Sequence, residues 1–312
     1  MKIIFFGTSS FGIPALEVLK NSPHELLSVV SSPDRPKGRN RLMQTSPIKE
    51  WAVEARLPVF QFTDINSAES GRELEKLKPD VFVVISFGAL LSFRLLKIPR
   101  SVSLNVHSSL LPRYRGAAPI HWALIDGETQ TGVSVMRMTE ELDAGDIALQ
   151  KKTPILPEDD IVTLERRLSF LGRDALLETL AKLEKGTLTF KPQGEARLKY
   201  ARKLTKEDGH LDWNQKAQSI INRIRAMKQW PTCYSYYEGK RIIFLDSELS
   251  EKSGLEKASA GSILAASSKS GLVLATKDRP VRIKVVQQEG GRPMPAEEFL
   301  RGFRFKEGAF LE

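Results

Sequence analysis

Asn105 and His107 stand two residues apart in VSLNVH (102–107), and an acidic turn, ELDAGD (141–146), follows further along the chain. Side chains two apart on a strand share one face. Asparagine offers an amide donor, and histidine changes charge near neutral pH. Together they can hold and polarise a carbonyl. A histidine at a strand end also serves as a plain structural hydrogen-bonding group. Asp143, if it reaches the imidazole, favours chemistry, because a carboxylate orients the ring and stabilises its cationic form. Asp146 is a second carboxylate in the same turn. Ser108 and Ser109 adjoin His107, but neighbours on a strand face opposite ways. With no plausible Ser or Cys nucleophile, the trio suggests direct group transfer through a tetrahedral intermediate.

Such a trio needs a sheet edge to hold it. KIIFF (2–6), LLSVVS (26–31), PVFQF (58–62), DVFVVIS (80–86) and VSLNVH (102–107) read as buried strands, separated by helical patterns at 11–20, 47–56 and 67–77. That alternation predicts a parallel α/β sheet covered on both faces. In such a sheet ligands bind beyond the carboxyl ends of the strands. TGVSVMRM (131–138) and DIALQKKTPI (146–155) flank the acidic turn and suggest an antiparallel extension, followed by a long helix over about 160–184. Gly186 suits the helix stop. Past a connector with Pro192 and Gly194, a short helix (about 214–227) precedes five strand-like segments between 233 and 288, the pattern of a small β-barrel. The predicted domains are 1–186, a basic linker 187–204, and 205–312.

Several function classes fall away. No apolar run approaches the roughly 20 residues of a membrane span. The opening MKIIFFGTSSFG reads as a first strand rather than a signal peptide. Cys233 is the only cysteine, so neither an intrachain disulfide nor a cysteine-based metal site is possible, and a reducing, cytoplasmic home is expected. No metal is expected. GTSSFG (7–12) fits neither the dinucleotide fingerprint nor the P-loop spacing. No apolar stripe is left unassigned, so a monomer is expected.

The net charge of +9 is uneven. Residues 1–184 hold 23 basic and 23 acidic residues, 185–204 hold 6 and 1, and 205–312 hold 18 and 14. The excess in the connector and C-terminal part fits either a polyanionic partner or a generic basic surface. The segment PDRPKGRNRLMQTSP (33–47) concentrates Arg35, Lys37, Arg39 and Arg41 in a polar loop whose prolines and glycine oppose a helix. Phosphate contact and plain solvation both suit it.

NVHSSLLPRYRGAAPI (105–120) with LDAGD (142–146) resembles the folate-dependent formyltransferases, specifically the members that act on methionyl initiator tRNA. The likeness runs from KIIFFGT to PMPAEEFLRG (293–302). It implies a Rossmann-like formyltransferase domain followed by an OB-like barrel that contacts tRNA. It implies 10-formyltetrahydrofolate as formyl donor and Asn105, His107 and Asp143 as the catalytic trio. Ser109, Leu110, Leu111 and Pro112 match the segment bordering the folate. Phe87, Gly88 and Leu90 fall in SFGALL (86–91), matching the segment on the pterin side. The loop carrying Arg35, Lys37, Arg39 and Arg41 matches the insertion that reaches the tRNA acceptor stem. A sugar-nucleotide amine on the same fold is the alternative acceptor, against which the basic loop and basic C-terminal part argue. GTSSFG and KQWP (228–231) depart from the family's usual GTPxFA and NPWP, away from the trio.

Overall fold

The computed structural model describes residues 1–37, 42–194, 199–251 and 258–312. Arg39 and Arg41 therefore lie outside the described residues.

The chain folds as two compact units. The first comprises 1–119, 130–154 and 165–202; the second comprises 120–129, 155–164 and 203–312.

The elements run β1 (Lys2–Gly7), α1 (Ile13–Lys20), β2 (Glu25–Val30), β3 (Arg35–Lys37), β4 (Leu42–Gln44), α2 (Pro47–Glu54), β5 (Val59–Phe60), α3 (Ala68–Lys76) and β6 (Val81–Ile85). They continue with α4 (Phe93–Leu96), β7 (Val102–His107), β8 (Arg113–Gly116), α5 (Pro119–Ile125), β9 (Gln130–Arg137), β10 (Ile147–Pro154), α6 (Ile161–Glu184) and β11 (Lys199–Ala201). The remainder is α7 (Ala217–Ala226), β12 (Cys233–Tyr237), β13 (Lys240–Leu249), β14 (Ile263–Ser267), β15 (Gly271–Leu274), β16 (Val281–Gln288), β17 (Met294–Pro295) and α8 (Ala296–Gly302).

The first unit is built on a seven-stranded sheet of order β10-β9-β7-β6-β1-β2-β5. The five strands from β7 to β5 are parallel, while β9 and β10 are antiparallel additions. VFVVI in β6 is buried at every position, which a central strand covered on both faces requires. Ile4, Phe6, Val30, Leu74, Phe82 and Val84 form the core of one layer. The helices start where capping chemistry allows. The Ser46 hydroxyl accepts from Lys49 N at 3.0 Å ahead of α2, and Ser67 accepts from Ser70 N at 3.2 Å ahead of α3. From β1 the chain moves outward to β2 and β5, then returns to the other side for β6 and β7. The reversal between β1 and β6 opens a crevice at the carboxyl ends of the strands.

Two stretches read as loops carry main-chain pairing. β3 and β4 form an antiparallel pair, Arg35 opposite Gln44 and Pro36 opposite Met43, within the basic segment. In the connector, β11 runs parallel to β8, and Lys191 exchanges both backbone bonds with Ile147 at 2.8 and 2.9 Å.

The second unit holds the antiparallel path β12-β13-β16-β15-β14, with β17 beside β16. Its inward residues include Cys233, Ile242, Phe244, Leu272, Leu274 and Ile283. The C-terminal segment closes the gap between the end strands. Ile263 N donates to Ala309 O at 2.8 Å and Leu311 N to Gly261 O at 2.9 Å on one side. Tyr236 and Glu312 exchange backbone bonds at 2.7 and 2.9 Å on the other. The expected barrel is thus an open antiparallel sheet completed by its own tail.

Candidate active site

β7 presents Asn105 and His107 on one face at the sheet's carboxyl edge, as their spacing requires. Parallel β6 lies on one side, with Val84 opposite Asn105. Antiparallel β9 lies on the other, with Met136 opposite Asn105 and Ser134 opposite His107. His107 is only 6% exposed. Its Nε2 lies 2.8 Å from the Tyr114 carbonyl, which can only accept, so that nitrogen carries the hydrogen. Its Nδ1 faces Asp143 Oδ2 at 3.6 Å. Both ring nitrogens therefore face acceptors.

Asp143 comes from the turn between β9 and β10 and is itself buried, 8% exposed. Its Oδ2 accepts the Gly116 N–H at 2.8 Å, and its Oδ1 faces Asn105 Nδ2 at 3.4 Å. One carboxylate thus meets all three partners. The backbone pays attention to this placement at two glycines. A Cβ on Gly145 would fall 1.8 Å from the Arg137 carbonyl, and one on Gly116, at φ +117°, would fall 2.6 Å from the Ala201 carbonyl. Asp143 itself is left-handed at φ +51°, a conformation uncommon for residues with side chains.

A pocket of about 480 Å³ opens over the trio. Asn105, His107 and Asp143 supply its polar end; Phe87, Leu90, Met136, Met138 and Leu142 supply apolar wall. Of the positions matching folate-bordering segments, Phe87, Gly88 and Leu90 line this pocket. The Phe87 ring packs edge-on against Phe6 at 5.4 Å, and its carbonyl accepts from the Thr8 hydroxyl at 3.1 Å. Leu90 is 52% exposed. Ser109, Leu110, Leu111 and Pro112 do not line it; Ser108 does. Ser109 is fully buried and donates to the Arg113 carbonyl at 2.6 Å. Ser134 donates to the Ser109 carbonyl at 2.7 Å and accepts from Leu111 N at 3.0 Å. Through these bonds Ser109 and Leu111 brace the chain between His107 and Tyr114.

Arg35 is exposed at the start of β3, and Lys37 ends that strand. The stem below them is pinned. The hydroxyls of Ser31 and Ser46 lie 2.6 Å apart, and Asp34 accepts from Lys49 at 2.6 Å and Gln61 at 2.8 Å. These contacts, led by the Lys49 hydrogen bond, hold the Asp34 carboxyl below its ordinary pKa.

Sequence reasoning missed the Gly116 N–H and the Tyr114 carbonyl, which are main-chain groups that residue type does not announce. It also missed Met136 and Met138, although their period-two spacing with Ser134 places them on the face of His107. Among the described residues no group of three His, Cys, Asp or Glu side chains could hold a metal. No helix is long and apolar enough to cross a membrane among those residues.

Residues 1–180 match the formyl transferase family, and residues 203–304 match the formyl transferase C-terminal domain. A methionyl-tRNA formyltransferase of Sulfurihydrogenibium sp. (strain YO3AOP1) is 37% identical over the whole of both chains. One of Caldanaerobacter subterraneus subsp. tengcongensis is 41% identical, again over the whole of both. Among solved structures, HypX from Aquifex aeolicus in complex with tetrahydrofolic acid superposes with a TM-score of 0.67 at 20% identity, covering 100% of this chain and 50% of that one. The sugar 3N-formyl transferase WlaRD, solved with dTDP and 5-N-formyl-THF, gives a TM-score of 0.68 at 15% identity, covering 92% and 97%. Those two likenesses speak for the fold. Two matched domains and end-to-end similarity at 37–41% identity place the chain in the formyl transferase family, among the methionyl-tRNA formyltransferases.

Proposed function

We propose that this chain moves the formyl group of 10-formyltetrahydrofolate onto the α-amino group of methionyl initiator tRNA, giving formylmethionyl-tRNA for translation initiation. The observation that carries the acceptor is the end-to-end similarity to methionyl-tRNA formyltransferases. The pocket carries the donor. Its apolar wall suits an aromatic, flat group, and its polar end suits a reacting carbonyl.

The folate supplies the formyl carbon on N10. Asn105 Nδ2 donates to the formyl oxygen. His107, with a proton on each nitrogen and acceptors at Tyr114 and Asp143, stabilises the negative charge that develops there. Asp143 compensates the imidazolium and, through a water, accepts the proton that the attacking ammonium must lose. The amine nitrogen forms the new C–N bond, the bond to N10 breaks, and N10 takes up the second proton that the amine nitrogen sheds. No covalent bond to the protein is needed.

The loop with Arg35, Lys37, Arg39 and Arg41 contacts the acceptor-stem phosphates, and the basic connector and the barrel contact the tRNA as well. The chain acts as a monomer in the cytoplasm; its single buried cysteine suits a reducing compartment. A sugar-nucleotide acceptor is not favoured, since sugar N-formyltransferase structures share only 15–20% identity.

The test is a formyl-transfer assay with 10-formyltetrahydrofolate and methionyl initiator tRNA, beside a parallel reaction offering a sugar-nucleotide amine. Formylated methionyl-tRNA, lost with His107→Ala, is the expected result. Formylation of the sugar alone would overturn the acceptor.

A further inference from the structure

Gln193 belongs to the connector and does not line the pocket. Its side chain nevertheless reaches the turn that carries Asp143. Nε2 donates to the Asp143 carbonyl at 2.7 Å and to the Gly145 carbonyl at 2.7 Å. Oε1 accepts from Arg115 Nε at 3.0 Å. The amide orientation is forced, because the guanidinium can only donate and the two carbonyls can only accept. Both Nε2 hydrogens and the oxygen are therefore used. Arg115 is set in turn by Glu141, 3.6 Å from its Nη1.

The segment that delivers Gln193 is fixed as well. Lys191 pairs with Ile147 through both backbone bonds, and the Phe190 ring lies under the Arg137 guanidinium at 4.1 Å. A two-carbonyl clamp is well placed on this turn. Asp143 sits in left-handed backbone, a strained conformation that persists only where surroundings hold it. Its carboxylate must meet Gly116, Asn105 and His107 at once. A small tilt of the turn would break that set.

We propose that Gln193 is a positioning residue, clamping the Asp143 and Gly145 carbonyls so that the connector sets the Asp143 carboxylate against Asn105, His107 and Gly116. The proposal rests on the formyl-transfer reading of the site. Gln193 touches no reacting atom; apart from a 3.9 Å contact with the Met136 sulfur and its bond from Arg115, its side chain is spent on the turn that carries Asp143.

The experiment compares full-length wild type with Gln193→Met, which keeps length but loses donors, and Gln193→Glu, which sets an acceptor against two carbonyls. Expected is a fall in kcat of roughly 10–100-fold, as for a misplacement of about 1 Å. KM for methionyl initiator tRNA and for the folate should stay within about threefold, since no substrate-binding group is removed. Gln193→Glu should be the worse of the two. The decisive readout is a cycle with Asp143→Asn. Once the carboxylate is neutralised, Gln193→Met should cost little more. A Gln193→Met kcat within twofold of wild type, or a full extra loss in the Asp143→Asn background, overturns the proposal. A wild-type chain that forms no formylated product sinks the reading of the site, and the clamp with it. Should Gln193→Met fail to fold, the same cycle run with Gln193→Glu decides.

Discussion

Asp143 Oδ2 stands 3.6 Å from His107 Nδ1 while it accepts the Gly116 N–H at 2.8 Å. Both side chains are more than nine-tenths buried. At that depth little water screens the pair, so a full negative charge acts on the imidazole directly. Asp143→Asn keeps the shape and removes the charge. It is expected to lower kcat by at least about 10²–10³, the scale of losing one well-placed electrostatic partner. Steady-state formylation of methionyl initiator tRNA measures this, with circular dichroism to show an intact fold. A kcat near wild type would remove Asp143 from the mechanism.

The basic loop rises from a pinned stem, Ser31 to Ser46 and Asp34 to Lys49 and Gln61. Its cations should therefore act on tRNA rather than on folding. Arg35→Ala and Arg39→Ala are each expected to raise KM for tRNA with kcat little changed. Each lost phosphate contact should flatten the slope of log affinity against log salt by about 0.9. Titrating binding at several salt concentrations checks this. An unchanged slope in both variants would detach the loop from the phosphates.

Much of this was legible in the sequence, and the reasons differ by element. β7 was readable because VSLNVH alternates on a buried strand, so spacing alone placed Asn105 and His107 on one face. Asp143 was readable as a candidate, since a carboxylate in a glycine-containing turn is a visible type. Its closure onto His107 was not, because that contact joins residues 36 apart through sheet pairing. β8 and β11 were invisible. RYRG and KYA are short and polar, and what joins them is main-chain bonding that composition does not encode. The barrel closure escaped for the same reason. Backbone groups of Leu311 and Glu312 satisfy Gly261 and Tyr236, a pairing that residue type does not announce.

Cys233 tests direct transfer. It is fully buried on β12, and burial pushes its thiol up to about 12. A nucleophilic cysteine needs the opposite, a lowered pKa and an approach for substrate. Cys233→Ala is expected to keep kcat within twofold and to cost on the order of 1 kcal/mol in stability. Activity assays and denaturant titration separate the two effects. Loss of turnover with the fold intact, or a formyl group trapped on this thiol, would overturn direct transfer.

Gly145 marks how tightly the Asp143 turn is packed against β9. An added Cβ meets the Arg137 carbonyl at 1.8 Å, and backbone cannot swing aside as a side chain would. The turn must move instead, and Asp143 with it. Gly145→Ala is expected to lower kcat by roughly 10-fold or more through misplacement. Its stability cost is about 1–3 kcal/mol, as for other overpacked sites. Full activity in Gly145→Ala would show that the carboxylate tolerates a displaced turn.

His121 gives the second unit a pH dependence with a definite sign. It lies on α5, and burial lowers its pKa to about 4, from about 6.5 in an unfolded chain. Between those values the unfolded chain binds more protons than the folded one. Stability therefore falls as pH falls through this window, and levels off below about 4. From pH 7 to pH 5 the loss from this one group is about 2 kcal/mol, on the scale of 1.36 kcal/mol per unit. His121→Gln cannot titrate there and should lose that much less over the same range. Denaturant titrations of both proteins at the two pH values, following a probe in the second unit such as the buried Trp213, measure the difference. Parallel loss in the two proteins would mean that the His121 imidazole takes up its proton as readily in the folded chain as in the unfolded one.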